Sequence, residues 1–271
     1  MALITLTTDF GLQDPDLGYL KSQILQAVPQ ARLIDISHTG MPFDPEEAIY
    51  ILKNALFDFP LKTIHLIGLD SETYKEQTAI LVDNGKHYFL GNDTGIIPAV
   101  LAGQNFKVYR LPLVQNDIFL QTHIKTVQKL TANVQPEDFA LITENYKEIK
   151  LSKPLLRYDE KTRKVALITV KVIYNDNYGN AVFNITKEEF EKARNGRSFS
   201  IRLHHYEIKN IQNNYHPLPK EGVITSAGTM FARFNHFGYL EIYIYKSNRQ
   251  TGGANTLLGL QKNQIVNIVF D

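Results

Sequence analysis

The chain has 271 residues, 44% hydrophobic and 21% charged, with 29 basic against 28 acidic side chains and a formal net charge of +1. The length suits two domains of roughly 100–200 residues each, and the composition is that of a folded chain with a sizeable core, which excludes disorder. The even charge balance argues against a non-specific nucleic-acid or polybasic membrane binder, and the lack of cysteine excludes disulfides, thiolate catalysis, cysteine–zinc sites and iron–sulfur clusters.

Residues 2–8 alternate apolar side chains with threonine and read as a first strand, not a signal peptide, running into the turn Asp9-Phe10-Gly11. Leu17, Leu20, Ile24, Leu25 and Val28 then fall at the spacing of an amphipathic helix, which Pro29 stops. Arg32 to Ile36 predicts a second strand. Asp44-Pro45-Glu46-Glu47 is a strong helix start: Asp as N-cap, Pro at the first helical position and Glu at the third, for a helix lasting to Phe57. Thr63 to Leu69 reads as a buried strand ending at Asp70, followed by strands Thr78–Asp83 and His87–Leu90 around Asn84-Gly85. Alternation of strand and helix predicts an α/β N-terminal domain over 1–150 with a mainly parallel sheet.

Residues 151–164, with two prolines and mixed charges, predict a crossing linker. Beyond it lie short β-rich runs at Val165–Tyr174, Ala181–Ile185, Phe199–Leu203, Gly222–Thr225, Leu240–Tyr245 and Ile265–Phe270, with one helix near Lys187–Ala193. They predict a smaller antiparallel β-barrel domain over 165–271. No stretch approaches the ~18–20 apolar residues of a membrane helix, and a cytoplasmic location is expected.

The sequence has no Gly-x-Gly-x-x-Gly, Walker loop, His-Glu-x-x-His or Gly-x-Ser-x-Gly. Asp9-Phe10-Gly11 matches the kinase magnesium tripeptide, but only eight residues precede it, too few for a kinase's upstream loops. Asp9 instead closes the first parallel strand, where ligands of open α/β sheets gather, and a carboxylate there can accept both hydrogen bonds of a ribose cis-diol. Asp70 has the same placement. A strand-end Asp also serves as a plain turn former. Asp176-Asn177-Tyr178-Gly179-Asn180 is either a hairpin loop or a recognition loop: a carboxylate for an amine, an aromatic face for a base, an amide for a base edge. His38 is a turn histidine on its face. No histidines fall at metal-ligand spacing except adjacent His204 and His205, expected on opposite faces of a strand, and no metal or cofactor is expected.

These segments occur in the order of one family. Thr8-Asp9-Phe10-Gly11, Asp14-Pro15, Gly18, Lys21, Pro29, Ala31, Asp35-Ile36-Ser37-His38 and Pro42-Phe43-Asp44 come first. Gly91-Asn92-Asp93-Thr94-Gly95, Asn116-Asp117-Ile118-Phe119, the Asp176–Asn180 loop, Gly238-Tyr239-Leu240-Glu241-Ile242 and Leu257-Leu258-Gly259-Leu260 follow. The chain resembles the S-adenosylmethionine hydroxide adenosyltransferase family, relatives of the fluorinase and chlorinase. The resemblance implies a homotrimer with active sites between one subunit's N-terminal domain and a neighbour's C-terminal domain. It implies attack of water on ribose C5′ of S-adenosylmethionine, giving adenosine and methionine. By position, Asp9 matches the ribose binder, Phe43 an aromatic beside the sugar, Asp176 the holder of the methionine amine, and Tyr178 and Asn180 the adenine stacker and edge reader. Tyr215 matches a second aromatic wall, and Asp70 the aspartate of the water site.

The family's hydrolases add an Arg and a His around that water; here those positions hold Gln77 and Val114. His236 or Phe237 replaces a serine that helps bind methionine, Gln115 stands at the halide-site serine, and an insertion at Ser247–Thr251 alters a loop near the adenine. Another side chain, such as His65 or His123, is a candidate to stand in for the missing one. Two functions follow: a slow hydrolase with Asp70 serving as base or water holder, or a non-catalytic S-adenosylmethionine or adenosine binder serving as sensor or scaffold. The partner expected in both is a small-molecule nucleoside, with no nucleic acid and no membrane.

Overall fold

The computed structural model describes residues 2–38, 44–69, 78–112, 120–212, 226–247 and 252–271. The chain divides into two compact units, Met1–Leu151 and Ser152–Asp271.

The first unit is built on a seven-stranded sheet. Its strands are β1 (Leu3–Thr8), β2 (Arg32–Ser37), β3 (Ile64–Gly68), β4 (Ala79–Asp83), β5 (Tyr88–Asn92), β6 (Lys107–Arg110) and β7 (Leu141–Ile142), in the order β2-β1-β3-β5-β4-β6-β7. The parallel half, β2-β1-β3-β5, follows from its crossovers: helix α1 (Pro15–Ala27) joins β1 to β2 and α2 (Pro45–Ala55) joins β2 to β3. The mainly parallel sheet expected is corrected to a mixed one, because β4, β6 and β7 pair antiparallel. The cause is local. Asp83 Oδ1 accepts from Gly85 N–H at 2.7 Å and Asn84 Oδ1 from His87 N–H at 2.8 Å, folding β4 back on β5 as a hairpin.

Capping chemistry sets the helix starts. Asp44 accepts from Glu47 N–H at 3.3 Å with Pro45 in the first turn, as the sequence predicts. Helix α3 (Ile96–Val100) is a short apolar plug, and α4 (Leu120–Thr131) lays Ile124, Val127 and Leu130 against the same core as Ile4, Leu6 and Leu66. The other face of the sheet packs Ile49, Leu52, Phe89 and Ile97. Gly91 is required where β5 passes β3, since a Cβ there would stand 2.6 Å from the Ile67 carbonyl oxygen.

The second unit carries a nine-stranded sheet: β8 (Leu155–Tyr158), β9 (Val165–Asn175), β10 (Ala181–Thr186), β11 (Phe199–Leu203), β12 (Tyr206–Ile208), β13 (Ile211–Gln212), β14 (Met230–Phe234), β15 (Tyr239–Ile244) and β16 (Ile265–Phe270). Every pairing is antiparallel except β13 with β14. The long β9 pairs with β8 and β16 along its first half and with β10 along its second, so it spans two parts of the sheet. Ile168, Val170, Phe183, Ile201, Ile242 and Ile268 fill one face, closed by α5 (Lys187–Arg194) through Phe190. Residues 151–164, expected as a linker, contain β8. His204 and His205 form the two-residue turn between β11 and β12, not opposite faces of a strand. The expected strand Gly222–Thr225 lies outside the described residues. Among the described residues no helix is long and apolar enough to cross a membrane.

Candidate functional site

Because β2, β1, β3 and β5 run parallel, their carboxyl ends share one edge, where the register sets Thr7 beside Ser37, Thr8 beside Gly68 and Ile67 beside Gly91. Asp9 stands on that edge, half-buried, its N–H reaching the Gly68 carbonyl at 3.4 Å. The next strand end leads to Asp70. Asp70, Phe43 and Tyr215 lie outside the described residues, as do Gln77 and Val114.

A network behind Asp9 holds it in place. Thr8 Oγ1 accepts from Phe10 N–H at 3.4 Å and lies 2.8 Å from His38 Nδ1. His38 Nε2 is 3.2 Å from Asp35 Oδ1, and Lys21 Nζ donates to Asp35 Oδ2 at 2.6 Å. If the Thr8 hydroxyl donates to Nδ1, the neutral ring carries its proton on Nε2, 3.2 Å from Asp35 Oδ1 but outside hydrogen-bond geometry. Burial alone would raise the Asp35 pKa, but the Lys21 ammonium and His38 hold it below the usual range. The sequence singled out Lys21 and Asp35 only as motif members and read His38 as a turn histidine. Their i, i+3 spacing from Asp35 to His38 at a strand end was the available signal.

In the second unit Asp176 anchors the loop between β9 and β10. Tyr178 and Asn180 N–H groups donate to Asp176 Oδ1 at 2.8 and 2.9 Å, and Asn180 Nδ2 donates to Oδ2 at 2.7 Å. A carboxylate can only accept, so the Asn180 amide is oriented by chemistry, with its Oδ1 turned the other way. Gly179 sits at φ +81°, where a Cβ would meet Gly253 Cα at 2.9 Å, and Asn255 N–H donates to the Gly179 carbonyl at 2.9 Å. Loops 176–180 and 252–255 thus pack back to back, a contact that the motif list gave no hint of.

Tyr178 and Asn180 line a cavity of about 170 Å³ with Tyr243, Ile244, Tyr245, Lys246 and Ser247. Sequence reasoning missed Tyr243, and it also missed that Glu241 pairs with Arg233, whose Nη2 and Nε donate to Oε1 at 2.8 and 3.1 Å. A hollow of about 440 Å³ in the first unit opens at the opposite, amino-terminal ends of its strands, among Leu3, Arg32, Lys62 and Tyr88.

His65, proposed as a stand-in base, is buried in the strand interior. Its Nδ1 lies 2.7 Å from Thr5 Oγ1 and its ring against Phe59, His87 and Phe89. His123 lies buried in the first turn of α4. Among the described residues no three His, Asp or Glu side chains cluster as a metal site.

An edge of parallel-strand ends bearing a positioned carboxylate, and a separate antiparallel unit bearing an aromatic–amide cavity, fit two family profiles. The profile described as SAM hydroxide adenosyltransferase N-terminal domain matches residues 4–133, and that of the C-terminal domain matches residues 170–267. The chain therefore belongs to the SAM hydroxide adenosyltransferase family. It is 29% identical over 192 residues to the (R)-S-adenosyl-L-methionine hydrolase of Methanocaldococcus jannaschii, an alignment covering 69% of this chain and 68% of the relative. It is 28% identical over 94 residues to the protein of the same name from Salinispora tropica, covering 35% and 36%. Among solved structures, an uncharacterized conserved protein from Thermotoga maritima has the same fold with a TM-score of 0.78 at 22% identity, covering 99% of this chain and 100% of that one. A conserved hypothetical protein from Thermus thermophilus aligns over 100% of both chains with a TM-score of 0.72 at 18% identity.

Proposed function

We propose that the chain is an S-adenosyl-L-methionine hydrolase. Water attacks ribose C5′, the C5′–sulfur bond breaks with its electron pair going to the sulfonium, and adenosine, methionine and one proton are released. The observation that carries this reading is the ordered pair of family matches, spanning residues 4–133 and 170–267. Asp9 at the carboxyl edge of the parallel strands supports it, because that is where this sheet type gathers ligands.

A sulfonium leaves as a neutral thioether, so the reaction needs no general acid. It needs the ribose held, a water in line opposite sulfur, and exclusion of the wrong geometries. In this reading Asp9 accepts from the ribose hydroxyls, Phe43 lies beside the sugar, Asp70 holds the water, and Asp176 receives the ammonium of the methionine end. Tyr178 stacks on the adenine, Asn180 reads its edge, and Tyr215 forms the second aromatic wall. A cytoplasmic homotrimer, in which neighbouring subunits complete each site, and closure of the second unit's sheet into a barrel belong to the same proposal.

The water site sets the rate. Gln77 and Val114 supply neither the positive charge that favours hydroxide nor a titrating ring, which leaves the water without that general-base help. General-base help is worth about 10²–10⁴-fold, so turnover is expected well below ~1 s⁻¹. Chromatography of S-adenosylmethionine incubated with the protein should show adenosine and methionine in equal amounts. Asp70→Ala should abolish them, and Gln77→Arg with Val114→His should raise them. Wild-type turnover that survives Asp70→Ala would overturn the placement of the water.

A further inference from the structure

The threonines that end β1 differ in one respect. Thr5, Thr7 and Thr8 are all buried, at 4% exposure or less. Thr5 Oγ1 lies 2.7 Å from His65 Nδ1, and Thr8 Oγ1 lies 2.8 Å from His38 Nδ1. Elsewhere in this unit the buried Thr63 and Thr126 hydroxyls donate to the carbonyls of Pro60 and Thr122 at 2.6 and 2.8 Å. Thr7 Oγ1 is buried too, yet it has no hydrogen-bond partner among the described residues. A hydroxyl stripped of water and given nothing in return destabilises a fold, and a valine of the same shape would avoid that cost.

The place where the cost is carried is informative. Thr7 belongs to the carboxyl edge of the parallel strands, paired with Ile67 of β3. The ladder runs on past it, since Asp9 N–H reaches the Gly68 carbonyl at 3.4 Å. Side chains alternate along an extended strand, so Thr7 and Asp9 fall on one face and Thr8 on the other. The Thr7 face is that of Ile67, covered by Ile49 and Leu52 of α2. The Asp44 cap of that helix comes directly after Phe43, the residue proposed beside the sugar.

The register adds a second hydroxyl. Strands β1 and β2 keep step from Leu3 with Arg32 to Leu6 with Asp35, then shift, so that Thr7 stands opposite Ser37 and Ile36 is passed over. Irregularities of this kind re-aim side chains and gather next to binding sites. Ser37 is half-buried, and its hydroxyl also makes no hydrogen bond among the described residues. Hydroxyls opposite one another on neighbouring strands can bond each other, but these two do not.

We propose that Thr7, with Ser37 opposite it, is a further binding residue for the ribose, supplying a hydroxyl beside the Asp9 carboxylate. The inference rests on the proposed function and deepens it, since it names a second group that holds the sugar. The chemistry is complementary. An ionised carboxylate only accepts, whereas a threonine hydroxyl also donates. A sugar hydroxyl that donates to Asp9 therefore has lone pairs left for Thr7, and the bond that the fold withholds from Thr7 comes from the ligand.

The test is calorimetry with adenosine and 2′,3′-dideoxyadenosine, beside thermal unfolding of each variant. Wild type should prefer adenosine. Thr7→Val should weaken adenosine about five- to tenfold and leave the dideoxynucleoside within about twofold, the scale of one neutral hydrogen bond. Its melting temperature should stay or rise, because the lost hydroxyl had no partner in the fold. Thr7→Ser restores the hydroxyl and should recover most of the adenosine affinity. Should Thr7→Val not fold, Ser37→Ala carries the test at a half-buried position, with the same selective loss expected. A wild-type ratio of the two affinities in the variant tested would overturn the inference. A lowered melting temperature with both nucleosides weakened alike would overturn it too, as the mark of a threonine that serves packing alone. In either case a ratio that still falls in Asp9→Asn leaves the hydrolase reading intact. A wild type that binds neither nucleoside nor S-adenosylmethionine would overturn the hydrolase reading, and this inference with it.

Discussion

Two carboxylates central to the proposed reading, Asp9 and Asp176, stand in opposite situations. Asp9 is held by its neighbours' bonds, through the Thr8–His38–Asp35–Lys21 chain. If Asp9 accepts from a ribose diol as proposed, exchanging those charge-assisted bonds for an amide's costs about 1.5–3 kcal/mol. Asp9→Asn should therefore weaken adenosine binding roughly 10–100-fold with the melting temperature unchanged. Calorimetry that finds wild-type affinity would remove Asp9 from the ribose. Asp176 instead spends itself on its own loop, and in the proposed reading that fixes which end of the Asn180 amide would meet a base. In that reading the Asn180 Oδ1 accepts from the 6-amino group of adenine. In Asp176→Asn the new amide can donate to Asn180 Oδ1, which reverses Asn180 and offers its NH₂ to the cavity. The adenosine-to-inosine affinity ratio should fall by about tenfold or more, the scale of leaving a polar group unpaired. A ratio that stays put would show that Asn180 does not read the base edge.

Elements tell a second story, of cores that tolerate polar groups only in one charge state. His65 in β3 is fully buried, and burial, helped by neighbouring His87, lowers its pKa to about 3. In the unfolded chain a histidine titrates near ~6.5, so the unfolded state binds the proton more readily below that pH. Stability is full above pH ~6.5 and falls as the pH drops towards 3, by about 2 kcal/mol at pH 5 from this one ring. Thermal unfolding at pH 7 and pH 5 should reveal that loss, and His65→Phe, placed among Phe59 and Phe89, should shrink it. An acid limb identical in the variant would assign the effect elsewhere. Helix α5 offers a simpler check: Thr186 Oγ1 accepts from Glu189 N–H at 3.3 Å and Glu189 Oε2 from Thr186 N–H at 2.9 Å, so Thr186→Ala should cost about 1 kcal/mol in denaturant unfolding.

Helix starts and strands set by local chemistry were readable for this reason. Asp44-Pro45 and the Asn84-Gly85 hairpin act within four residues of themselves. The mixed pairing of the first sheet was not, because the order in which β4, β5 and β6 come together is decided by which faces bury best and not by any one segment. The short edge strands β7, β8 and β13 carry too few residues for an alternation to register. At the site the same divide holds. Asp9, Tyr178 and Asn180 announced themselves by turn chemistry at strand ends, whereas the Arg233–Glu241 pair is a cross-strand contact. One partner lay inside a quoted motif and the other outside it.

Assembly is the scale at which the whole molecule is tested. If each site is completed by a neighbouring subunit, light scattering should give a trimer near 93 kDa, three times 30.9 kDa. A monomer at micromolar concentration would separate Asp9 from the Asp176 loop functionally and withdraw their joint roles. The most direct test of the central claim is the origin of the new oxygen. The protein is incubated with S-adenosylmethionine in ¹⁸O-labelled water and the products are weighed by mass spectrometry. Attack of water at C5′ predicts adenosine carrying one ¹⁸O in its 5′-hydroxyl, formed in equal amount to unlabelled methionine. Adenosine no more abundant than in a protein-free control, or adenosine that carries no label, would contradict the account.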